Sequence, residues 1–253
     1  MPAAPSRPNI ESVLGTLADE VEGMGLQITT PQLEQLIRFR DLLAASAKEF
    51  NLTSLRDPEG IERRHLIESL AFGAFLQTRG LLDAHQALRL VDIGTGAGLP
   101  GIPLKIGWPR LQLTLLESVG KKSRFLEMAR DALELTDVEV VEARAEDFGR
   151  DEAHRETYDL AVARAVAPLP VLLEYALPLL RRGGRLVAPK GSAAPSELAG
   201  ALTALELLGG RVVEAVRFLP PHGAAQTVIV VEKVAGTPER YPRRAGIPTK
   251  RPL

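Results

Sequence analysis

The stretch Leu90–Gly101, LVDIGTGAGLPG, decides the fold. An apolar run ends in Asp92, and glycines follow at alternate positions, Gly94, Gly96 and Gly98. This pattern reads as a strand-to-helix turn in which bare backbone comes close to a nucleotide. A tight turn without a ligand would account for one glycine, not three. Outward from this loop, short apolar runs alternate with helical periodicity. Strands are expected at Leu90–Ile93, Leu111–Leu116, Val138–Val141, Leu160–Ala163, Arg185–Ala188, Val212–Phe218 and Thr227–Val231. Helices are expected near Leu99–Ile106, Lys121–Glu134, Pro170–Leu180 and Pro195–Leu208. The alternation predicts an α/β fold, a mostly parallel seven-stranded sheet with helices on both faces. No helix separates the last two strands, which are expected to form an antiparallel hairpin through LPPHGAAQ, leaving the last strand antiparallel.

The region before the loop reads as helices. Ile10, Val13, Leu14, Leu17, Ala18 and Val21 recur at the spacing of one helical face. Thr30-Pro31 starts a second helix, a hydroxyl cap followed by a proline, with Leu33, Leu36, Ile37, Phe39, Leu42 and Leu43 as its buried stripe. Asp57-Pro58 starts a third, with Ile61, Leu66, Ile67, Leu70, Phe72 and Phe75 inside. The expected organisation is a helical extension over 1–85, a nucleotide-binding domain over 86–236 and a basic tail over 237–253. The tail sets Arg240, Arg243, Arg244, Lys250 and Arg251 against Glu239. It reads either as a solvated end or as a strap that contacts phosphate.

Composition narrows the function classes. The chain has 253 residues, 45% apolar and 25% charged, an ordinary globular balance. Cysteine is absent, which excludes disulfides, thiolate metal sites and cysteine nucleophiles and fits a cytoplasmic protein. His65, His85, His154 and His222 lack the His-x-x-x-His spacing of a zinc site, so no metal is expected. Neither a signal peptide nor a membrane span is expected. The net charge of −1 does not announce a nucleic-acid partner.

The loop itself separates two nucleoside cofactors. Read from Gly94 as a dinucleotide-binding G-x-G-x-x-G, it fails at Leu99. Read from Gly96 it reaches Gly101, but begins beyond the strand end and contains Pro100. The better match is G-x-G-x-G directly after Val91-Asp92-Ile93, which resembles class I S-adenosyl-L-methionine methyltransferases with their Rossmann-like sheet. Glu117 ends the next strand, where an acid accepts hydrogen bonds from both ribose hydroxyls. Its ordinary alternative is a helix cap. Ala145-Glu146 follows the third strand, where such enzymes hold the adenine edge, and alone also fits an acidic surface loop. Arg164 ends the fourth strand, at a place where many methyltransferases carry an Asp/Asn-Pro-Pro-aromatic motif for an exocyclic amine. That motif is missing. Arg164 and Lys190 are therefore positioning candidates, with surface ion pairs as the alternative.

LVDIGTGAGLPGIPL, ARAEDF, DLAVARA, LVAPKG and NLTSLRDPEGIERRHLIESL together resemble the RsmG family, formerly glucose-inhibited division protein B, from about Leu33 to the tail. The resemblance implies methylation of N7 of one guanine in the decoding region of 16S ribosomal RNA, with S-adenosyl-L-homocysteine as co-product. It implies cofactor contacts at Gly94, Leu99, Glu117, Ser118, Val119, Ala145, Glu146 and Arg164, beside Asp92, Gly96 and Gly98 of the loop. The expected partner is 16S rRNA, free or in a small ribosomal subunit, met by a monomer. His65, Lys190, Arg243, Arg244, Lys250 and Arg251 are candidate RNA contacts, each otherwise an ordinary surface residue. The family's usual Trp-Asn before NLT is replaced by Ser46 and Ala47. Guanine N7 carries a free lone pair, so this chemistry needs positioning rather than a general base. A cation against N7 would oppose transfer, so Arg164 is expected to engage the cofactor or an RNA phosphate or carbonyl. N7 lies on the Hoogsteen edge, and the base is expected to be splayed into the site.

Overall fold

A computed structural model describes residues 10–53, 55 and 57–253. The apolar face expected from Ile10, Val13 and Leu14 lies outside the described side chains, and Ser54 and Arg56 lie outside the described residues. The first half is helical, as the periodicity predicts: α1 (Ile10–Gly23), α2 (Thr30–Phe50), α3 (Pro58–Ile61), then a π-helical turn over Glu62–Ile67 leading into α4 (Glu68–Thr78). The cap of α2 lies one residue earlier than expected, at Thr29. Gln32 Oε1 accepts from Thr29 N at 2.8 Å and from Thr29 Oγ at 2.9 Å. Asp57 caps α3 as expected, accepting from Gly60 N at 2.6 Å. Leu36, Phe39 and Leu43 of the α2 stripe are at 0% exposure, as are Ile61, Leu66 and Leu70 of the third expected helix, which runs from α3 through the π-helical turn into α4.

The second half alternates: β1 (Leu88–Ile93), α5 (Gly101–Gly107), β2 (Leu111–Glu117), α6 (Gly120–Ala132), β3 (Val138–Glu142), α7 (Ala145–Phe148), β4 (Tyr158–Val162), α8 (Leu169–Ala176), β5 (Leu180–Lys190), α9 (Ala194–Ala199), α10 (Leu202–Leu208), β6 (Gly210–Phe218), β7 (Gln226–Lys233) and α11 (Ile247–Lys250). The sheet has seven strands in the order β3-β2-β1-β4-β5-β7-β6. Pairing is parallel from β3 through β5, while β7 runs antiparallel to both β5 and β6. The fold class expected from the sequence is the one observed. The winding direction reverses between β1 and β4. Ligands of open α/β sheets bind at such a switch point, beyond the carboxyl ends of the strands.

Three boundaries differ from expectation. β5 begins at Leu180 rather than Arg185, because Arg181–Gly184 bulges between the pairs Tyr158↔Leu180 and Leu160↔Arg185. Gly183 adopts φ +80° there, and a Cβ on Gly184 would meet the carbonyls of Arg181 and Tyr158 at 2.9 Å. The helix expected over Pro195–Leu208 is two helices, interrupted at Gly200-Ala201. The helix expected over Pro170–Leu180 stops at Ala176.

Strand alternation sends β1 side chains into two cores. Leu90 joins the core shared with the N-terminal helices, and Val91 and Ile93 join the core under α8 and α10. The helices before the sheet are thus part of one face of it. Gly73 lets α4 approach closely, since a Cβ there would lie 2.3 Å from the Trp108 ring. Trp108 Nε1 donates to Gln77 Oε1 at 3.0 Å, and Gln32 Nε2 donates to Ile106 O at 2.6 Å. Among the described residues no helix is long and apolar enough to cross a membrane.

The tail is not a free end. Tyr241 is buried, and Arg155 donates to the carbonyls of Thr237 and Tyr241 at 2.7 and 2.8 Å. Arg243 forms a two-pronged ion pair with Glu174, a carboxylate at 0% exposure, at 2.6 Å.

Gly73→Ala forces a methyl into the Trp108 contact. Overpacking of this kind costs about 1–3 kcal/mol. Urea unfolding is expected to show a lowered midpoint; an unchanged midpoint would contradict close docking of α4.

Candidate functional site

The loop after β1 is organised by a buried acid. Asp92 is wholly buried, and its Oδ2 accepts from Thr95 Oγ1 at 2.6 Å and from Gly101 N at 2.9 Å. One carboxylate oxygen therefore ties both ends of the turn, Thr95 near its start and Gly101 at the first residue of α5. Gly101 must be glycine for this approach, because a Cβ would stand 2.8 Å from Asp92 Oδ2. Burial raises the Asp92 carboxyl from 3.8 to about 6, against the pull of Thr95, Gly101 and Arg164. Asp92 Oδ1 is buried with no hydrogen-bond partner.

The three glycines divide the work. All have positive φ, at 64°, 62° and 86° for Gly94, Gly96 and Gly98. Gly98 is packed inside, where a Cβ would meet Ile102 at 2.5 Å. A Cβ on Gly94 would meet Val166 at 2.9 Å, whereas Gly96 faces open space. Leu99 is buried behind the loop. Glu117 ends β2 beside the same opening. Its Oε2 accepts from Gly96 N at 3.0 Å and its Oε1 from Val119 N at 2.8 Å. The acid is locked in place, while Ser118 and Val119 are exposed. Ala145 and Glu146 lie on α7 along the same edge. The Glu146 carboxylate turns toward the tail and accepts from Gly246 N at 2.8 Å.

Arg164 follows β4 on the other side of the switch point, in a bend where Ala165 takes φ +57°. Its Nη1 lies 3.7 Å from Glu68 Oε2 on α4. Burial depresses the guanidinium, and the carboxylates of Glu68 and then Asp92 oppose that. A narrow cavity opens next to it, walled by Glu68, Phe72, Pro100, Arg164, Phe218 and Gln226. Glu68, Phe72, Phe218 and Gln226 were not among the expected site residues. Glu68 carried a signal, an acid amid the apolar stripe of its helix. The others come from segments distant in sequence.

Several candidate RNA contacts have other partners. Lys190 is buried and pairs with Glu197 at 2.9 Å, while donating to Ala167 O. It fixes the bend after Arg164 rather than reaching solvent. Thr53 Oγ1 lies 2.8 Å from His65 Nε2, and the ring is brought to about 4 by burial and by Arg164, so it is neutral at pH 7. Arg243 is engaged by Glu174. Arg244, Lys250 and Arg251 are exposed, on the strap that meets Glu146. Ser46 and Ala47 are buried near the end of α2, where the Ala47 carbonyl accepts from Asn51 N and from Leu52 N.

Residues 32–223 match the family described as rRNA small subunit methyltransferase G, or GidB. The chain belongs to that family. Ribosomal RNA small subunit methyltransferase G of Roseiflexus castenholzii is 48% identical over 229 residues, 90% of this chain and 95% of the relative. The protein of the same name from Chloroflexus aggregans is 44% identical over 94% of this chain and 97% of its own length. Among solved structures, TrmN of Thermus thermophilus superposes with TM-score 0.51 at 20% identity, covering 68% of this chain and 53% of that one. That likeness is one of fold. Membership of a methyltransferase family implies S-adenosyl-L-methionine as the donor, and the open space at Gly96, flanked by the locked Glu117, fits it.

The raised Asp92 gives a signed pH dependence. A carboxyl that protonates more readily folded than unfolded adds stability below about pH 4, and loses it as pH rises through about 6. Urea unfolding of wild type and Asp92→Asn across that range is expected to show the difference moving in favour of the variant as pH rises. A pH-independent difference would contradict the strained burial of Asp92.

Proposed function

We propose that this chain transfers a methyl group from S-adenosyl-L-methionine to N7 of one guanine in the decoding region of 16S ribosomal RNA, in the cytoplasm. The observation that carries the reading is the junction of two features at the switch point. Pro100 of the glycine loop lines the narrow cavity at Arg164, and the Gly96 opening with its locked acid lies in that same loop. Gly94, Gly96, Leu99, Glu117 and the Ala145-Glu146 segment hold the cofactor, with the Glu117 carboxylate taking the ribose hydroxyls. When bound, the cofactor supplies an electrophilic methyl on a sulfonium.

The chain's own residues then orient and exclude water. Guanine N7 needs no deprotonation, and the cavity wall matches that need. Its ionisable groups are Glu68 and Arg164, which face each other. Arg164 is thereby drawn toward Glu68, so its charge is partly balanced where a bare cation near N7 would oppose transfer. The rate enhancement comes from holding the base in line with the methyl. The target base leaves its stack to enter so narrow a cavity. Exposed Arg244, Lys250 and Arg251 meet the RNA backbone from the tail strap.

Incubation with labelled S-adenosyl-L-methionine and small-subunit RNA is expected to place N7-methylguanine at one nucleotide. Label on another atom or another RNA would overturn the proposal. Glu117→Ala removes a charged acceptor, and its cofactor affinity, read by calorimetry, is expected to fall at least about tenfold. Unaltered affinity would reject the ribose assignment.

A further inference from the structure

Glu68 Oε1 and Asp92 Oδ1 are the buried side-chain polar atoms without a hydrogen-bond partner among the described residues. Asp92 is accounted for by the loop it organises. Glu68 is not. Its Oε2 pairs with the Arg164 guanidinium at the long distance of 3.7 Å, and Oε1 meets no donor among the described residues. A buried carboxylate oxygen without a donor is a standing cost that a ligand's N–H would relieve. Burial pushes the Glu68 carboxyl up, and Arg164 is the foremost group opposing that.

The surroundings define the ligand. The cavity against Glu68 is otherwise apolar over much of its wall, with the rings of Phe72, Phe218 and Pro220 lining it, surfaces against which a planar base can pack. Pro100, in the glycine loop, lines the same cavity as Glu68. A base held at Glu68 by one edge therefore turns its far edge toward the loop. Among the four RNA bases, guanine alone presents two adjacent donors on one edge, N1–H and the N2 amine. They match the two oxygens of a carboxylate. Adenine also has an N7, so the reacting atom alone does not discriminate, and the N1–H and N2 amine of the opposite edge offer a carboxylate the means to do so.

We infer that Glu68 is the specificity-determining residue for the target base, its carboxylate accepting N1–H and N2–H of guanine while N7 faces the glycine loop. The inference rests on the guanine-N7 reading above. Arg164 is a positioning residue that holds Glu68 Oε2. The loop between β6 and β7 covers the site, since a Cβ on Gly223 would lie 2.6 Å from Glu68 Oε1. His222 of that loop contacts Glu20 of α1 at 2.7 Å. An entering base displaces Gly223 from Glu68 and takes its place.

The test compares small-subunit RNA carrying guanosine or inosine at the nucleotide that wild type methylates. Inosine keeps N1–H and N7 and lacks the N2 amine. Wild type is expected to prefer guanosine by about 10- to 100-fold in kcat/KM, the discrimination of a paired base contact. Glu68→Gln is expected to lose at least about tenfold on guanosine RNA and to bring the preference below about threefold, with S-adenosyl-L-methionine affinity unchanged by calorimetry. A purely structural Glu68 would slow both RNAs equally, so a preserved preference in Glu68→Gln overturns the inference. Equal rates on both RNAs by wild type also overturn it, with no variant required. Wild type that makes no N7-methylguanine removes the parent reading, and the inference with it.

Discussion

Asp92 is the constraint on which the rest of this structure depends. A carboxylate at 0% exposure is an expensive group to bury, and its shift to about 6 records that cost. The return is geometric. One oxygen holds Thr95 and Gly101, and the turn between them is thereby closed to one shape. That shape aims the Gly96 N–H at Glu117 and leaves the space beside Gly96 open. On the proposed reading, cofactor recognition is built on backbone, and backbone is fixed here by a side chain that water does not reach.

The same acid reaches across the switch point. Arg164 feels both Asp92 and Glu68, so the end of β1, the bend after β4 and the start of α4 share one electrostatic knot. This explains why the N-terminal helices belong to the site rather than standing apart as an accessory. Gly73 against Trp108 and Gln32 on the Ile106 carbonyl set the depth of their docking. That depth places Glu68 against the cavity. Lys190, held by Glu197 and Ala167, braces the bend from the other side.

Much of the fold was legible because it is written in local periodicity. The seven strands, the antiparallel hairpin, the caps at Asp57 and near Thr30, and the glycine loop each depend on a few adjacent residues. The misreadings have a common cause, which is tertiary contact overriding local pattern. Arg181–Gly184 reads as a loop, yet the bulge carries it into β5. The tail's arginines and prolines leave a solvated end and a strap equally open, and Glu174 and Arg155, far upstream, draw it onto the body. His65, Lys190 and Arg243 read as candidate RNA contacts or ordinary surface residues because their partners lie at other places in the chain. The cavity wall was illegible for the same reason, since α4, the bend after β4 and the β6–β7 loop meet only in three dimensions. Membership of the rRNA small subunit methyltransferase G family then supplies the reaction class, and the geometry supports the residues proposed for it.

Asp92 preforms the proposed cofactor loop from the side away from its opening. The decisive measurement is calorimetric titration of S-adenosyl-L-methionine into Asp92→Ala, at a temperature where the variant is folded by circular dichroism. Affinity is expected to fall at least about tenfold, since the loop must then be ordered at the expense of binding. Affinity equal to wild type in a folded Asp92→Ala would contradict it.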